Sequence, residues 1–423
     1  MNNIDINMRI NHITINNFKC FKSLDLTFHP SFNVMMGNNG TGKTSILEAL
    51  RIAIGSLYLG LDKYEGRIAS PGITDDDVRL YNLEPQYPTS VFAKGTICDY
   101  QTLTNEQKDI SWSRSIESKG GKTLSKDAKE MTAMSKSMQA CVRKDPEIAI
   151  PLIAYFSTDR YKRERRDALL EPNGSRLRGY YNSLDTSTNT KFFLNLLYTE
   201  TLDQTQTGNV SYLLTNMQEA LCKCVDCKSV IYILKEKELF LEYRDGQKIP
   251  FHLLSDGIRC TLALVMEIAV RSYLLNPYLK GEAYAKTSGV ILIDELDLHL
   301  HPSWQRHIAN DLRKTFPAMQ FVVTTHAPLI LSELSDCHIY SISNGQVYDF
   351  PNQNGRDANY ILKQMNVPSI NADCDELIKQ YMSMIEIGEG HTDNAKKLRA
   401  ELETLIGADN SELKRADMML SFF

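Results

Sequence analysis

The stretch Gly37-Asn-Asn-Gly-Thr-Gly-Lys-Thr44 decides the fold of this chain. It matches the phosphate-binding pattern G-x-x-x-x-G-K-[ST] at every position. A short apolar run at residues 32–36 precedes it, and a segment with helical periodicity follows at residues 45–59. Because strand, glycine loop and helix come in this order, the sequence predicts a loop that wraps the phosphates of a nucleotide.

Nine consecutive residues supply the groups that a bound phosphate chain needs. Glycines let the backbone curl until successive N–H groups point at phosphate oxygens, and the following helix presents its positive N-terminus. We expect Lys43 to reach the β- and γ-phosphates and the Thr44 hydroxyl to bind Mg²⁺. A chance glycine-rich turn is the alternative, which the flanking strand and helix disfavour. The predicted ATP contacts are Gly37, Asn38, Asn39, Gly40, Thr41, Gly42, Lys43, Thr44 and Ser45.

The acidic partner of this loop ends a second apolar run, Val290-Ile-Leu-Ile-Asp-Glu295. Asp294, at the tip of a buried strand, can bind magnesium through water, and Glu295 is placed to polarise the attacking water. In the alternative, both acids cap the next helix, where they favour its dipole. The presence of the phosphate loop favours the catalytic interpretation.

Two further elements surround the acidic pair in sequence. Leu254-Ser-Asp-Gly257 opens a helix, so Ser255, Asp256 and Gly257 are candidate anion ligands at a helix N-terminus, although Ser255 could equally be a plain N-cap. Thr324-Thr-His326 closes a strand, and a histidine taken alone is more often structural. The order of both elements along the chain favours a role at the nucleotide.

The bulk composition excludes several classes of protein. The chain has 423 residues, 43% of them hydrophobic and 23% charged, with a net charge of −5. This mixture is typical of a globular protein and creates no overall basic field for nucleic acid. The most apolar stretch, residues 46–61, is interrupted by charges and too short to span a bilayer, so we expect no membrane association. Nine scattered cysteines and a polar N-terminus without a secretory pattern predict reduced thiols and a cytoplasmic location.

Together these motifs resemble the ATP-binding-cassette (ABC) ATPases of the RecF and SMC type. Ser255-Asp-Gly257 departs from that family's usual Ser-Gly-Gly by one Asp. The variant resembles one bacterial branch, which includes the PtuA subunits of Septu and retron-linked phage defence. The sequence is also similar to this branch in Asp294-Glu-Leu-Asp-Leu-His-Leu-His-Pro302 and in Thr324-Thr-His-Ala-Pro328. The likeness is dense over residues 8–50 and 250–330 and weak between them.

The resemblance implies an α/β fold: an ABC-type (RecF-like) P-loop NTPase head with a mixed sheet, an antiparallel β subdomain, a helical insertion and C-terminal helices. We expect residues 1–100 to form the N-terminal half of the head, with the phosphate loop. Residues 101–250 are then a variable helical and β insertion (a lid), and residues 251–350 the C-terminal half of the head. Residues 351–423 are expected to be a helical segment.

The resemblance also implies a mechanism and partners. In this family the signature serine and glycine of one subunit grip the γ-phosphate held by the other, so hydrolysis needs a head-to-tail homodimer or higher homo-oligomer. It assigns catalytic roles to Lys43, Glu295 and His326, the last as the switch histidine that senses the γ-phosphate. Residues 298–301 become the D-loop. A role in anti-phage defence, through a separate nuclease effector of the HNH type, follows from the resemblance alone.

Three weaker signals remain open. Gln86 precedes a strand and could reach Mg²⁺, or it is an exposed loop glutamine. The basic stretch from Arg160 to Arg178 contains interleaved tyrosines, which suits nucleic acid, or it is an exposed charged surface. Cys222-Lys-Cys-Val-Asp-Cys227 offers three thiols where zinc needs four ligands, so thiols without metal are expected.

Two rival functions also stay open. One is a DNA-maintenance ATPase of the RecF type that acts directly on DNA, and such a protein would show DNA-stimulated hydrolysis and salt-dependent binding. The other is a scaffold that holds ATP without turning it over.

Overall fold

The computed structural model describes residues 8–63, 68–102, 106–161, 174–186, 190–343, 345–365 and 372–421. The chain divides into two compact units, Met1–Gly355 and Arg356–Phe423. The first unit contains the phosphate loop, the acidic pair and the other candidate site residues. Within the described part of the chain, no helix has the length and apolar character needed to cross a membrane.

The first unit contains both strands and helices, and the elements described in the second unit are helices. The strands are β1 (Met8–Phe18), β2 (Phe21–Thr27), β3 (Phe32–Gly37), β4 (Leu80–Tyr81), β5 (Glu84–Pro85), β6 (Thr89–Cys98), β7 (Gln107–Ile116), β8 (Leu152–Phe156), β9 (Ser229–Ile233), β10 (Glu238–Glu242), β11 (Lys248–Pro250), β12 (Gly289–Ile293), β13 (Met319–Thr325), β14 (His338–Ser343) and β15 (Gln346–Phe350). The helices are α1 (Lys43–Ile54), α2 (Lys129–Lys144), α3 (Thr190–Thr207), α4 (Tyr212–Val225), α5 (Asp256–Leu275), α6 (Ala283–Lys286), α7 (Pro302–Thr315), α8 (Pro328–Leu331), α9 (Ala358–Gln364), α10 (Ala372–Glu386), α11 (Asp393–Ile406) and α12 (Ser411–Leu420).

A six-stranded mixed sheet forms the centre of the first unit, in the order β15-β14-β3-β13-β12-β8. Five neighbouring strands run parallel, and β15 pairs antiparallel with β14 at the edge. Every residue of β8, β12 and β13 is buried, as expected for strands covered on both faces. Because these strands are parallel, the carboxyl ends of β3, β12 and β13 meet at one edge of the sheet. The phosphate loop, the acidic pair and His326 follow those three ends.

Helix α1 packs between this sheet and a second, antiparallel one. The second sheet has the order β2-β1-β6-β7, and α1 contacts strands of both sheets. Ile46, Leu47 and Leu50 of the helix are fully buried. On its antiparallel side, the indole N–H of Trp112 donates to the carbonyl of Ala53 at 2.9 Å. The helix that carries the phosphate loop is therefore held from both sides.

One buried amide ties the two sheets together. Gln320 lies on β13 and is 2% exposed. Its Oε1 accepts the N–H of Ile10 at 2.8 Å, and its Nε2 donates to the carbonyl of Ile10 at 2.8 Å. The same Nε2 donates to the carbonyl of His29 at 2.9 Å. The side chain thus pairs with β1 in the way that a neighbouring strand's peptide group does.

Two strands of the large sheets, β7 and β8, lie within residues 101–250, which the sequence assigns to an insertion. Strand β7 pairs antiparallel with β6, and β9 and β10 form a hairpin. Strand β8, however, falls within residues 101–250, the predicted insertion, and pairs with β12 in the central sheet. A buried apolar strand needs a neighbour for its backbone, so this range holds two insertions, one before β8 and one after it.

The second unit has a core of its own. Helices α10, α11 and α12 bury apolar side chains against one another, which include Ile378, Tyr381, Ile385, Ala395, Leu402, Leu413 and Ala416. On its surface, Arg399 pairs with Asp417 at 2.8 Å and with Glu403 at 3.1 Å. The elements described in this unit are helices, and the bounds 351–423 stay a prediction.

Substitution of Gln320, whose side chain links the two sheets, is expected to destabilise the first unit. Gln320→Leu fills the same space but leaves the N–H and carbonyl of Ile10 buried without this partner, at about 1–3 kcal/mol for each group. We expect the free energy of unfolding to fall by about 2–4 kcal/mol in urea denaturation. Gln247→Leu, at an exposed turn position, is the control, with a change within about 0.5 kcal/mol. Equal values for the two variants would show that the bridge contributes no stability.

Candidate nucleotide-binding site

The phosphate loop has the conformation that its glycines permit. Gly40 and Gly42 have φ values of 77° and 104°, which other residues rarely adopt. A Cβ at Gly42 would also lie 2.6 Å from the Sγ of Cys20 and 2.6 Å from the ring of Phe21. Gly42 is the N-cap of α1, so the positive end of a buried helix lies at the loop.

Lys43 lies across the loop that it belongs to. Its Nζ donates to the carbonyl of Gly37 at 2.9 Å and to that of Asn38 at 2.8 Å. Burial lowers the pKa of Lys43, and the nearby carboxylates of Asp294 and Glu295 counter that effect. The ammonium group is thus held close to the loop by acceptors that a phosphate chain can replace.

The carboxylate of Asp294 joins the two halves of the site. The Thr44 hydroxyl donates to its Oδ2 at 2.9 Å, across 250 positions of sequence. The Thr324 hydroxyl donates to its Oδ1 at 2.6 Å, and the same Thr324 oxygen accepts the N–H of Glu295 at 2.7 Å. Asp294 is 1% exposed. Thr324 therefore positions both residues of the acidic pair.

Asp297, which follows β12 and the acidic pair, positions His326. The Thr325 hydroxyl donates to Oδ1 of Asp297 at 2.7 Å, and the N–H of His326 donates to the same oxygen at 3.2 Å. Burial lowers the pKa of His326, and the positive charge of Lys43 lowers it further. The imidazole is therefore neutral at neutral pH and can donate one hydrogen bond to a phosphate oxygen.

These groups line one cavity of about 270 Å³. Its lining residues are Lys19, Cys20, Asn39, Gly40, Gly42, Lys43, Thr44, Ser45, Asp294, Glu295 and His326. The structure thus brings together the loop, the acidic pair and the histidine that the sequence predicts. Lys19 and Cys20 were missed, because only the turn between β1 and β2 places them here. Lys19 pairs with Glu48 and, at 3.5 Å, with Asp77.

Ser255, Asp256 and Gly257 begin α5 and are not among the lining residues of this cavity. Ser255 is the N-cap and is exposed, and its side chain makes no capping hydrogen bond. Asp256 pairs with Arg259. Gly257 is buried, and a Cβ there would lie 2.4 Å from the carbonyl oxygen of His299. The start of α5 is therefore packed on the predicted D-loop, while the serine hydroxyl faces outwards.

Gln86 is not among the lining residues of the cavity either. It follows the short hairpin of β4 and β5, and its Nε2 donates to the carbonyl of Glu84 at 2.9 Å. Its role as a magnesium ligand stays a prediction. The carboxyl end of β8 is closer to the acidic pair, since the N–H of Asp294 donates to the carbonyl of Phe156 at 2.8 Å.

Part of the basic stretch from Arg160 to Arg178 has a structural role. Arg176 donates to three backbone carbonyls at 2.6–3.0 Å, and burial lowers its pKa. It is therefore engaged within the fold. Residues 162–173 lie outside the described residues. Contact between this stretch and nucleic acid stays a prediction.

The site also fits magnesium. The Thr44 hydroxyl and the Asp294 carboxylate place two oxygen ligands 2.9 Å apart at the cavity. Mg²⁺ takes oxygen ligands and is commonly held by one or two side chains together with waters and substrate phosphates. Among the described residues there is no group of three or more His, Cys, Asp or Glu side chains arranged to hold a metal alone. A metal shared with the phosphates of a nucleotide is consistent with both observations.

Comparison with known proteins gives matches over most of the chain. An AAA domain model matches residues 12–236, and a second AAA domain model matches residues 152–332. The chain is 24% identical to "Retron Vc95 probable ATPase" of Vibrio cholerae serotype O1 biovar El Tor, over 93% of this chain and 86% of that protein. It is 24% identical to "Retron Ec83 probable ATPase" of Escherichia coli, over 96% and 85%. It is also 24% identical to "Septu protein PtuA" of Bacillus mycoides, over 89% of this chain and 47% of that protein.

The fold and the site define a P-loop ATPase of the ABC type, in which the phosphate loop and the acidic pair lie far apart in sequence. The chain belongs to the AAA domain family, whose model matches more than half of it. The predicted RecF-like ABC fold class and ATPase activity are confirmed, as is the resemblance to the retron and PtuA branch.

Proposed function

We propose that this chain binds ATP with Mg²⁺, dimerises head to tail around two ATP molecules and thereby regulates a separate nuclease effector in anti-phage defence. The hydrogen bonds that join Thr44, Asp294 and Thr324 are the observation that supports binding of ATP with Mg²⁺. They hold the loop and the acidic pair together as one site, so a nucleotide meets ligands that are already assembled. Preorganised ligands of this kind are what phosphoryl transfer requires.

Five residues of the cavity then have individual roles in hydrolysis. The loop N–H groups and the N-terminus of α1 bind the phosphates, and Lys43 moves from the carbonyls of Gly37 and Asn38 to phosphate oxygens. Thr44 and Asp294 would hold magnesium, which would offset phosphate charge there. Glu295, whose backbone is fixed by Thr324, orients the attacking water and accepts its proton. His326 donates a hydrogen bond to the γ-phosphate from its neutral ring.

Substitution of Glu295 should reduce ATP hydrolysis without preventing ATP binding. Glu295→Gln keeps the shape of the side chain and removes its ability to accept a proton. We expect it to retain ATP binding and to reduce turnover by about 10²-fold or more, measured as phosphate release in steady state. Lys43→Ala should instead lose ATP binding, measured by a fluorescent ATP analogue. Turnover in Glu295→Gln that equals the unsubstituted chain would remove Glu295 from the catalytic role.

The start of α5 supports a composite site formed by two copies. Ser255 is exposed, makes no capping hydrogen bond in its own chain and does not line its own cavity. A serine hydroxyl beside backbone N–H groups at a helix N-terminus is a ready anion site. Asp256 adds a negative charge there, and its pairing with Arg259 limits the repulsion of a phosphate. We infer that Ser255 and Gly257 of one copy contact the γ-phosphate bound by the other.

Mixing two inactive variants tests this arrangement. Ser255→Arg places bulk and charge at the γ-phosphate of the neighbouring copy, and Lys43→Ala destroys a copy's own loop. A mixed dimer of the two contains one intact site, so turnover should rise above that of either variant alone. Lys43→Ala mixed with Glu295→Gln is the control, because both changes affect the same half of a site and no intact site can form. Equal turnover in both mixtures, with subunit exchange shown by differently tagged chains, would contradict the composite site.

The effector proposal depends on the second unit and on the relatives. Three similar proteins carry the names of retron or Septu systems, which supports a role in defence. All the lining residues of the nucleotide cavity belong to the first unit. The unit Arg356–Phe423 exposes apolar side chains at Ile387 (66%), Leu405 (55%) and Met418 (65%). We infer that this unit docks a nuclease of the HNH type, whose activity follows the ATP state of the dimer.

Co-purification tests the docking. The product of the neighbouring gene should bind the full chain, and binding should differ between ATP-bound Glu295→Gln and the nucleotide-free chain. A chain that ends at Gly355 should not bind it, and the full chain with Leu405→Glu and Met418→Glu should bind it more weakly. Unchanged binding by both altered chains would exclude this surface. DNA-stimulated hydrolysis by the chain alone would instead support the maintenance function of the RecF type.

A further inference from the structure

The turn that follows α4 brings two thiols together. Asp226 ends the helix in the left-handed conformation, with φ 51° and ψ 42°, and the chain reverses there. As a result, the Sγ of Cys227 lies 3.6 Å from the Sγ of Cys222 in the last turn of the helix. We propose that Cys222 and Cys227 are a redox modification site, at which hydrogen peroxide forms a reversible disulfide.

The third cysteine of the motif does not belong to this pair. Cys224 is two positions from Cys222, about 200° around an α-helix, and therefore lies on a different face. It is 2% exposed and lies beside Thr315 of α7. Within the described part of the chain, no group of three or more potential ligands is arranged for a metal. The motif thus supplies a dithiol rather than a zinc site, which needs four ligands.

The two thiols are chemically unequal. A hydrogen bond from the Cys227 thiol lowers the pKa of Cys222, and one from the backbone N–H of Val230 lowers it further. The pKa of Cys227 is raised, because its thiol is the donor and because it is buried. Cys222 is partly exposed, whereas Cys227 is 5% exposed. Cys222 is therefore the group that a small oxidant reaches first and that reacts as a thiolate.

The reaction balances with hydrogen peroxide as the oxidant. The Cys222 thiolate attacks one peroxide oxygen, the O–O bond breaks, and the hydroxide that leaves is protonated to water. The sulfenic acid formed at Cys222 is then attacked by the sulfur of Cys227, which gives up its proton. The S–O bond breaks, a second water leaves, and the S–S bond forms. Two thiols are oxidised, and one hydrogen peroxide is reduced to two waters.

Digestion with trypsin allows the Cys222–Cys227 disulfide to be detected directly. The enzyme cleaves after Lys191, Lys223 and Lys228, so a Cys222–Cys227 disulfide joins peptide 192–223 to peptide 224–228. The full chain is treated with peroxide, blocked with N-ethylmaleimide and digested. Mass spectrometry should find the joined peptides, which dithiothreitol separates, and fragmentation of peptide 224–228 should place the bond at Cys227. Cys224→Ser should leave the joined species in place, and Cys222→Ser and Cys227→Ser should each abolish it.

Alkylation rates give an independent measurement. Cys337 has the same intermediate exposure as Cys222, but burial raises its pKa to about 11. At neutral pH, iodoacetamide should label Cys222 faster than Cys337 by at least about 10-fold. In Cys227→Ala, that advantage should shrink, because the hydrogen bond that the Cys227 thiol donates to Cys222 is lost. Equal rates for Cys222 and Cys337, or no joined peptide at peroxide concentrations that oxidise the exposed Cys20, would overturn the proposal.

Discussion

The carboxylate of Asp294 accepts a hydrogen bond from Thr44 on one oxygen and from Thr324 on the other, and it is almost completely buried. Burial of a carboxylate costs free energy unless its oxygens accept hydrogen bonds, and the hydroxyls of Thr44 and Thr324 offset that cost. They are neutral donors, however, and they leave its negative charge in place. The charge favours cations in the cavity, which Lys19 and Lys43 line in this structure. Loss of either hydroxyl would therefore affect the phosphate loop and the acidic pair together.

The architecture explains how residues so far apart meet. Five parallel strands of the central sheet end at one edge, and three of them carry the loop, the acidic pair and the histidine. Helix α1 is packed between two sheets, and Gln320 ties those sheets to each other. The loop is thus attached to the most buried part of the first unit. Its geometry depends on the packing of two sheets, in addition to its own nine residues.

Consecutive motifs could be predicted from the sequence, and long-range topology could not. The phosphate loop is local, since its glycines, Lys43 and Thr44 act through neighbouring backbone groups. Asp294 and Glu295 were also predictable, because an apolar run that ends in two acids is a local pattern. Gln86 was selected as a magnesium ligand because it precedes a strand, but a local pattern does not show which sheet that strand joins. For the same reason β8 was placed in an insertion, although it pairs with β12.

The position of Lys43 has a consequence for which ligands the site accepts. Its ammonium group already donates to two carbonyls within the loop, at 2.8 and 2.9 Å. The net binding free energy from Lys43 is therefore the difference between its hydrogen bonds to the ligand and the hydrogen bonds that it gives up. A small anion with few oxygens gains little from the exchange. A chain of three phosphates offers several charged oxygens at once and displaces both carbonyls. We therefore expect the loop to prefer a chain of phosphates to a small anion with few oxygens.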